Sequence, residues 1–398
     1  MNERRLRQTL VAATPPDEIG AQRRAWRVTR TAFSEREPTP WPIRHQRPIA
    51  AAAIGVAVLA AALSPPGRAV LREAREAVGS ERVVVGVPQA RPAPFAPPTR
   101  GRVLVAARSG VWTVAADGAR RKLGEYQEAT WSPQGRFVGA SKQHQLSALT
   151  PKGVVRWTIS QPGIRHPRWS PSGFRVAYLS RSSIRVVAGD GSGDRRLDGV
   201  EDVAPAWKPG DEHVLAYVAK GGNVNVVNTD SGAALWTGGE ATAAAQQLEW
   251  SPTGQRLVTA PRYDAGFGLS VFDSFGRRRQ FLLFPGRLVD FAISPAGRQL
   301  ALIRRVGPRS ELLTVDVDNL RRHQVVFSGK GRFSDIAWSP DGRWLLLGWA
   351  SADQWLFIRS THVSKIKAIS SLRVQFDPGG TGVGRFPRIE GWCCRGPG

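Results

Sequence analysis

A six-residue phrase returns along this chain at nearly even intervals. It reads Trp131-Ser132-Pro133-Gln134-Gly135-Arg136, then Trp169-Ser170-Pro171-Ser172-Gly173, then a shortened Trp207-Lys208-Pro209-Gly210. It comes back as Trp250-Ser251-Pro252-Thr253-Gly254, Ile293-Ser294-Pro295-Ala296-Gly297-Arg298 and Trp338-Ser339-Pro340-Asp341-Gly342-Arg343. The lead residues are 38, 38, 43, 43 and 45 positions apart. A period of about 40 with β-type sequence between the marks is the signature of a propeller. In each phrase the proline suits the second position of a tight turn. The motif tryptophans read as packing between blades rather than as a ligand platform.

The unit beginning at Trp169 shows the pattern. A strand over 166–169 enters the turn, and 174–179 and 183–188 alternate as two more strands. Asp190-Gly191 turns the chain, and Arg195 begins a fourth strand. Four strands per unit make a propeller blade. Six blades start at a mark. The strands at about 102–125 form a further blade that lacks an innermost strand, so the C-terminal end must supply it. Two segments qualify, 372–376 and 386–392. The second, Phe386-Pro387-Arg388-Ile389-Glu390-Gly391-Trp392, echoes His166-Pro167-Arg168-Trp169 and is preferred. The expected fold is therefore all-β, a seven-bladed propeller over 102–392 followed by a tail at 393–398.

The 101 residues before the ring read differently. Residues 1–47 form an expected cytoplasmic helical segment. In it Ile19, Trp26 and Phe33 recur every seven residues on one face, which suits either a cytoplasmic partner or a membrane surface. Residues 49–64 (IAAAAIGVAVLAAALS) carry no charge, and 48–66 read as a transmembrane signal anchor, although short for a span. Arginine is in excess before the run, from Arg23 to Arg47, which places the N-terminus in the cytoplasm and the propeller outside. Residues 67–101 read as a short amphipathic helix and a proline-rich linker that holds the ring off the bilayer.

Composition narrows the function. Lys and Arg number 56 against 32 Asp and Glu, a formal charge of +24. The basic residues are spread over every repeat, whereas a nucleic-acid footprint clusters on one face. Nucleic acid is not expected as a partner; anionic lipid or a wall polymer fits the charge. No Gly-x-Ser-x-Gly elbow and no phosphate loop occurs, so no catalytic residue, cofactor or metal is assigned and the chain is read as a non-enzyme. Asp316 and Asp318 read as a strand end running into a turn rather than a calcium loop. The two cysteines, Cys393 and Cys394, are adjacent; they read as unbonded tail thiols or an intermolecular link, with a vicinal disulfide (redox pair) or a metal pair as the alternatives.

With the Trp-Ser-Pro-Asp-Gly phrase met in full at Trp338–Gly342, the chain resembles the TolB-type (WD40-like) propeller family over about 102–392. That resemblance implies an extracytoplasmic ring binding an envelope protein or a cell-wall ligand. The chain lacks the additional N-terminal α/β domain of TolB itself. Its layout is also similar to membrane-bound regulators of extracytoplasmic-function sigma factors, which implies a cytoplasmic head that holds a signalling partner while the propeller senses outside. The head contains His45 and no cysteine, so a zinc-type anti-sigma domain is not implied. A propeller enzyme is the third reading.

Overall fold

The computed structural model describes residues 96–239, 243–360, 366–377 and 384–394. The expected head with Ile19, Trp26 and Phe33, the span and nearly all of the linker lie outside the described residues. Among the described residues no helix is long and apolar enough to cross a membrane.

The Ser-Pro-x-Gly phrase builds its turn from local chemistry. The amide of Gly173 donates to the Ser170 carbonyl at 2.9 Å, and the Ser170 hydroxyl accepts from the Arg175 amide at 3.0 Å. The same pair of contacts recurs at Ser132, Ser251, Ser294 and Ser339. Glycine is needed at the fourth position because φ there is positive, 80° at Gly173 and 68° at Gly342. Each turn therefore reverses an innermost strand into the second strand of its blade.

Seven four-stranded antiparallel sheets result. Blades 2 to 7 have innermost strands Glu128–Trp131, Ile164–Trp169, Ala206–Trp207, Ala245–Trp250, Arg287–Ile293 and Phe333–Trp338. Blade 1 takes Arg102–Ala107, Gly110–Val114 and Arg120–Gly124 from the start of the ring and Arg388–Cys393 from its end. Trp392 pairs with Val103 just as Trp169 pairs with Val176. The C-terminal strand is thus the preferred 386–392 segment, extended by one residue into what was expected to be tail. The other candidate, Leu372–Phe376, is a short helix, with Leu372 and Phe376 buried against blades 7 and 1.

Neighbouring innermost strands touch all the way round, and the strand of blade 1 meets those of blades 7 and 2. One apolar cluster fills each of the seven gaps between blades. A sheet buried on both faces needs continuous apolar strands, and Val214–Val218 (VLAYV) is buried throughout. Among the described residues all strand partners and all seven clusters lie within 102–393, and the ring closes on itself.

The motif tryptophans sit in these gaps. Trp169, Trp207, Trp250, Trp338 and Trp392 are buried, and Trp131 is half-buried under the Arg102 guanidinium, 4.9 Å from its ring centre. Two of them also tie blades together: Trp207 and Trp338 Nε1 donate to the carbonyls of Arg168 and Ala292 in the preceding blade, each at 2.9 Å. Asp341 accepts from its own turn and from Thr99 Oγ1 at 2.9 Å, pinning the incoming chain to blade 7.

The closing strand should dominate stability. Trp392→Ala is expected to lower the unfolding free energy by about 3–5 kcal/mol in urea titration, whereas the exposed Phe275→Ser should change it by less than about 0.5 kcal/mol. Equal small effects would mean that the ring is not closed by this strand.

Candidate binding site in the axial channel

The innermost strands carry ionisable residues within four positions of the residue that leads each phrase, or of Trp392 in blade 1. Blade 1 supplies Arg388 and Glu390, blade 2 Glu128, and blade 3 His166 and Arg168. Blades 5, 6 and 7 supply Glu249, Asp290 and Asp335. Blade 4, whose innermost strand is only two residues long, contributes Asp202 from its entry loop. Arg168 acts electrostatically on Glu249, Asp290 and Glu390, which belong to three other blades. Only the axis of the ring brings those blades within reach of one side chain.

Local backbone irregularity aims these groups. The pairing register slips at residues 166–167, 246–247, 289, 334–335 and 390, in five of the seven innermost strands. A bulge sets two residues against one and redirects the side chains around it. His166 even adopts φ 52°. Three carboxyls then stitch one blade to the next by accepting main-chain amides. Glu128 accepts from His166 N at 2.6 Å, Glu249 from Ile293 N at 3.1 Å and Asp290 from Ile336 N at 3.0 Å. Gln247 adds a two-way contact, donating to Asp290 at 3.0 Å and accepting from Phe291 N at 3.2 Å.

Burial in the channel wall raises every one of four carboxyls. Glu249 is pushed up to about 8, opposed by the Ile293 amide and helped by the nearby Asp290. Asp335 and Glu390 rise to about 7 and Asp290 to about 6, again through burial. Arg388 and Arg168 pull Glu390 the other way, and Arg388 itself is held more firmly protonated by Glu390, Glu128 and Asp335 despite its burial. These walls are not wholly sealed: the Glu390 side chain keeps 12% of its surface. Burial lowers His166 below its usual value, against the pull of Glu128.

Much of this polar capacity is spent inside the ring. Arg388 donates to Glu390 at 2.8 Å and to the Gln127 carbonyl at 3.2 Å. At the mouth His166 Nε2 lies 3.1 Å from Asp202, which Arg165 also meets at 2.8 Å. Asp335 feels the Ile389 amide of blade 1 and the Ser334 hydroxyl, and its Oδ2 is buried. A mixed set of acids and guanidiniums gathered on the axis is chemistry suited to holding a polar or charged group. Among the described residues no set of three or more His, Cys, Asp or Glu is arranged to hold a metal ion.

None of these residues was singled out from the sequence. A signal did exist: an ionisable residue one to three positions before the lead residue of five of the six phrases. The residues that were singled out lie elsewhere. The Ser-Pro-x-Gly turns follow the lead residues of the phrases, and Asp316 caps its turn by accepting from the amides of Asp318 and Asn319. Cys393 and Cys394 correct the expectation of unbonded thiols. They are joined to each other at the end of the closing strand, with Cys394 Sγ 3.5 Å from the Pro133 carbonyl.

No protein-family description matches the chain, and no curated protein does. Among solved structures it is similar to hydrazine synthase of Kuenenia stuttgartiensis, at 13% identity and TM-score 0.50, over 64% of this chain and 81% of that one. It is also similar to the Cps50 (Swd1) β-propeller domain of Myceliophteria thermophila, at 12% identity and TM-score 0.51, over 62% and 85%. At such identities the likeness is one of fold, the β-propeller.

The raised carboxyls set a sign for pH dependence. A carboxyl whose folded pKa exceeds its unfolded value of about 4 binds more protons in the native state, so stability falls as pH climbs from there through the folded value. The ring should be less stable near pH 8 than near pH 5 in urea titrations, and Glu249→Gln should flatten the fall. Stability that climbs across this window would contradict the channel electrostatics.

Proposed function

We propose that this chain is a membrane-anchored, extracytoplasmic propeller that binds a protein or wall polymer of the cell envelope, with the axial channel as its contact site. The observation that carries this reading is the gathering of Arg168, Arg388, His166 and five carboxyls from six blades onto one axis. The guanidiniums of Arg168 and Arg388 among those carboxyls suit a polar or charged ligand. The anchor rests on the uncharged run 49–64 and on the arginine excess before it. Likeness to the TolB-type propellers, carried by the Trp-Ser-Pro-Asp-Gly phrase, supports an envelope partner. In the alternative of a transmembrane regulator, the Ile19, Trp26 and Phe33 face holds a cytoplasmic partner and the same channel serves as the sensor.

An enzyme reading has one observation in its favour: carboxyls poised near neutrality suit acid–base work. The readings separate on one set of variants. Asp335→Asn and Arg388→Ala should each weaken capture of envelope fractions by the ring at least about tenfold, the scale of a lost charged contact. Turnover of an envelope substrate that Asp335→Asn abolishes would favour the enzyme.

Topology is tested in intact cells carrying a tag after Gly398. External protease should remove the tag and leave a membrane-held N-terminal fragment. A tag protected until lysis would refute the anchor or its direction.

A further inference from the structure

Outermost propeller strands face solvent along their outer edge and normally turn polar residues to it. Blade 1 does so with Arg120, Arg121 and Lys122. Blade 5 does not. Its outer strand, Arg278–Pro285, exposes Phe281 and Leu283 on alternate positions, 39% and 57% accessible, and buries Phe284 beyond them. The hairpin that feeds this strand carries Phe275 at its tip, 80% exposed. In blade 6 the outer strand Asn319–Lys330 adds Val325, half exposed.

The same edge is densely basic. Arg277, Arg278 and Arg279 leave the blade 5 hairpin, and Arg321 and Arg322 leave that of blade 6; all five are exposed. The two hairpins are fastened side by side. Gln280 Nε2 donates to the Val317 carbonyl at 3.3 Å and its Oε1 accepts from the Leu320 amide at 2.9 Å. The Arg278 guanidinium lies 5.3 Å over the Phe281 ring. Three acids stand near. Asp273 and Asp316 are occupied by turn amides, and Asp318 faces Arg256 at 3.5 Å. Asp273 also sits 3.7 Å from Arg279. Guanidinium therefore outnumbers carboxylate along the rim.

We propose that this rim of blades 5 and 6 docks the ring onto an anionic phospholipid surface. Exposed aromatic and aliphatic side chains flanked by arginine are what an interface of acyl chain and acidic headgroup takes up. A second copy of the chain would set two arginine clusters against each other. A soluble phosphodiester polymer would satisfy the arginines and leave Phe275, Phe281 and Leu283 in water. The proposal does not depend on the channel or on the run at 49–64, and it can fail without them.

The test uses residues 96–398, the self-closed ring, sedimented with vesicles of phosphatidylcholine with or without phosphatidylglycerol. Binding is expected only with phosphatidylglycerol. Replacing Arg277, Arg278 and Arg279 together by Gln should weaken it about 100-fold, and Phe275→Ser with Leu283→Ser about tenfold. All replaced side chains are exposed, so unchanged melting would show that the ring is intact. Equal binding to neutral vesicles, or no loss in the arginine variant, overturns the proposal. Undiminished binding of the Phe275/Leu283 variant would assign the rim to free phosphodiester polymers, and a dimer dispersed by Leu283→Ser would assign it to a second copy; either overturns it.

Discussion

Everything in this molecule depends on the pairing of its last strand with its first. Arg388–Cys393 lies along Arg102–Ala107, about 280 residues distant in sequence, and turns an open row of sheets into a ring. Without it the edge of blade 1 would be bare and the gap between blades 7 and 1 would lose Trp392 and Ile389. Closure also creates the axis. Glu390 and Arg388 sit on the closing strand itself, so the strand that completes the ring completes the channel wall.

The channel is a compromise between cohesion and function. Each stitching carboxyl satisfies an amide of the next blade, which holds the innermost strands in order despite their bulges. Crowding acids on a narrow axis raises their proton affinity, and the two guanidiniums recover only part of that cost. A protein that needed only a stable ring could line its axis with apolar or small residues. The charged lining of this channel is better understood as a place where something is held.

The blades were legible in the sequence because their punctuation is local. Ser170, Pro171 and Gly173 form a turn from their own hydrogen bonds and backbone preferences, whatever surrounds them. The closing strand was legible because Pro387-Arg388 repeats Pro167-Arg168 ahead of a tryptophan. The channel was not. Glu128, His166, Asp290 and Asp335 hold comparable places before the motif but share no residue type, and each gains meaning only from partners about 40 residues away, the length of a blade. Strand length was likewise hidden. Blade 4 has lost the Ser of its phrase to Lys208, and its innermost strand shrinks to Ala206–Trp207. The rim arginines were counted in the overall charge, yet only the Gln280 contacts reveal that two separate hairpins bring them side by side.

The most direct test is a carbon-13 titration of the side-chain carboxyls in the isolated ring. Glu249 should titrate near about 8, Asp335 and Glu390 near about 7 and Asp290 near about 6, well apart from the exposed acids. Replacing Arg168 should move Glu249, Asp290 and Glu390 together, although they belong to three different blades. If all four titrate with the surface carboxyls and ignore Arg168, the ring does not gather them on one axis, and the site described here does not exist.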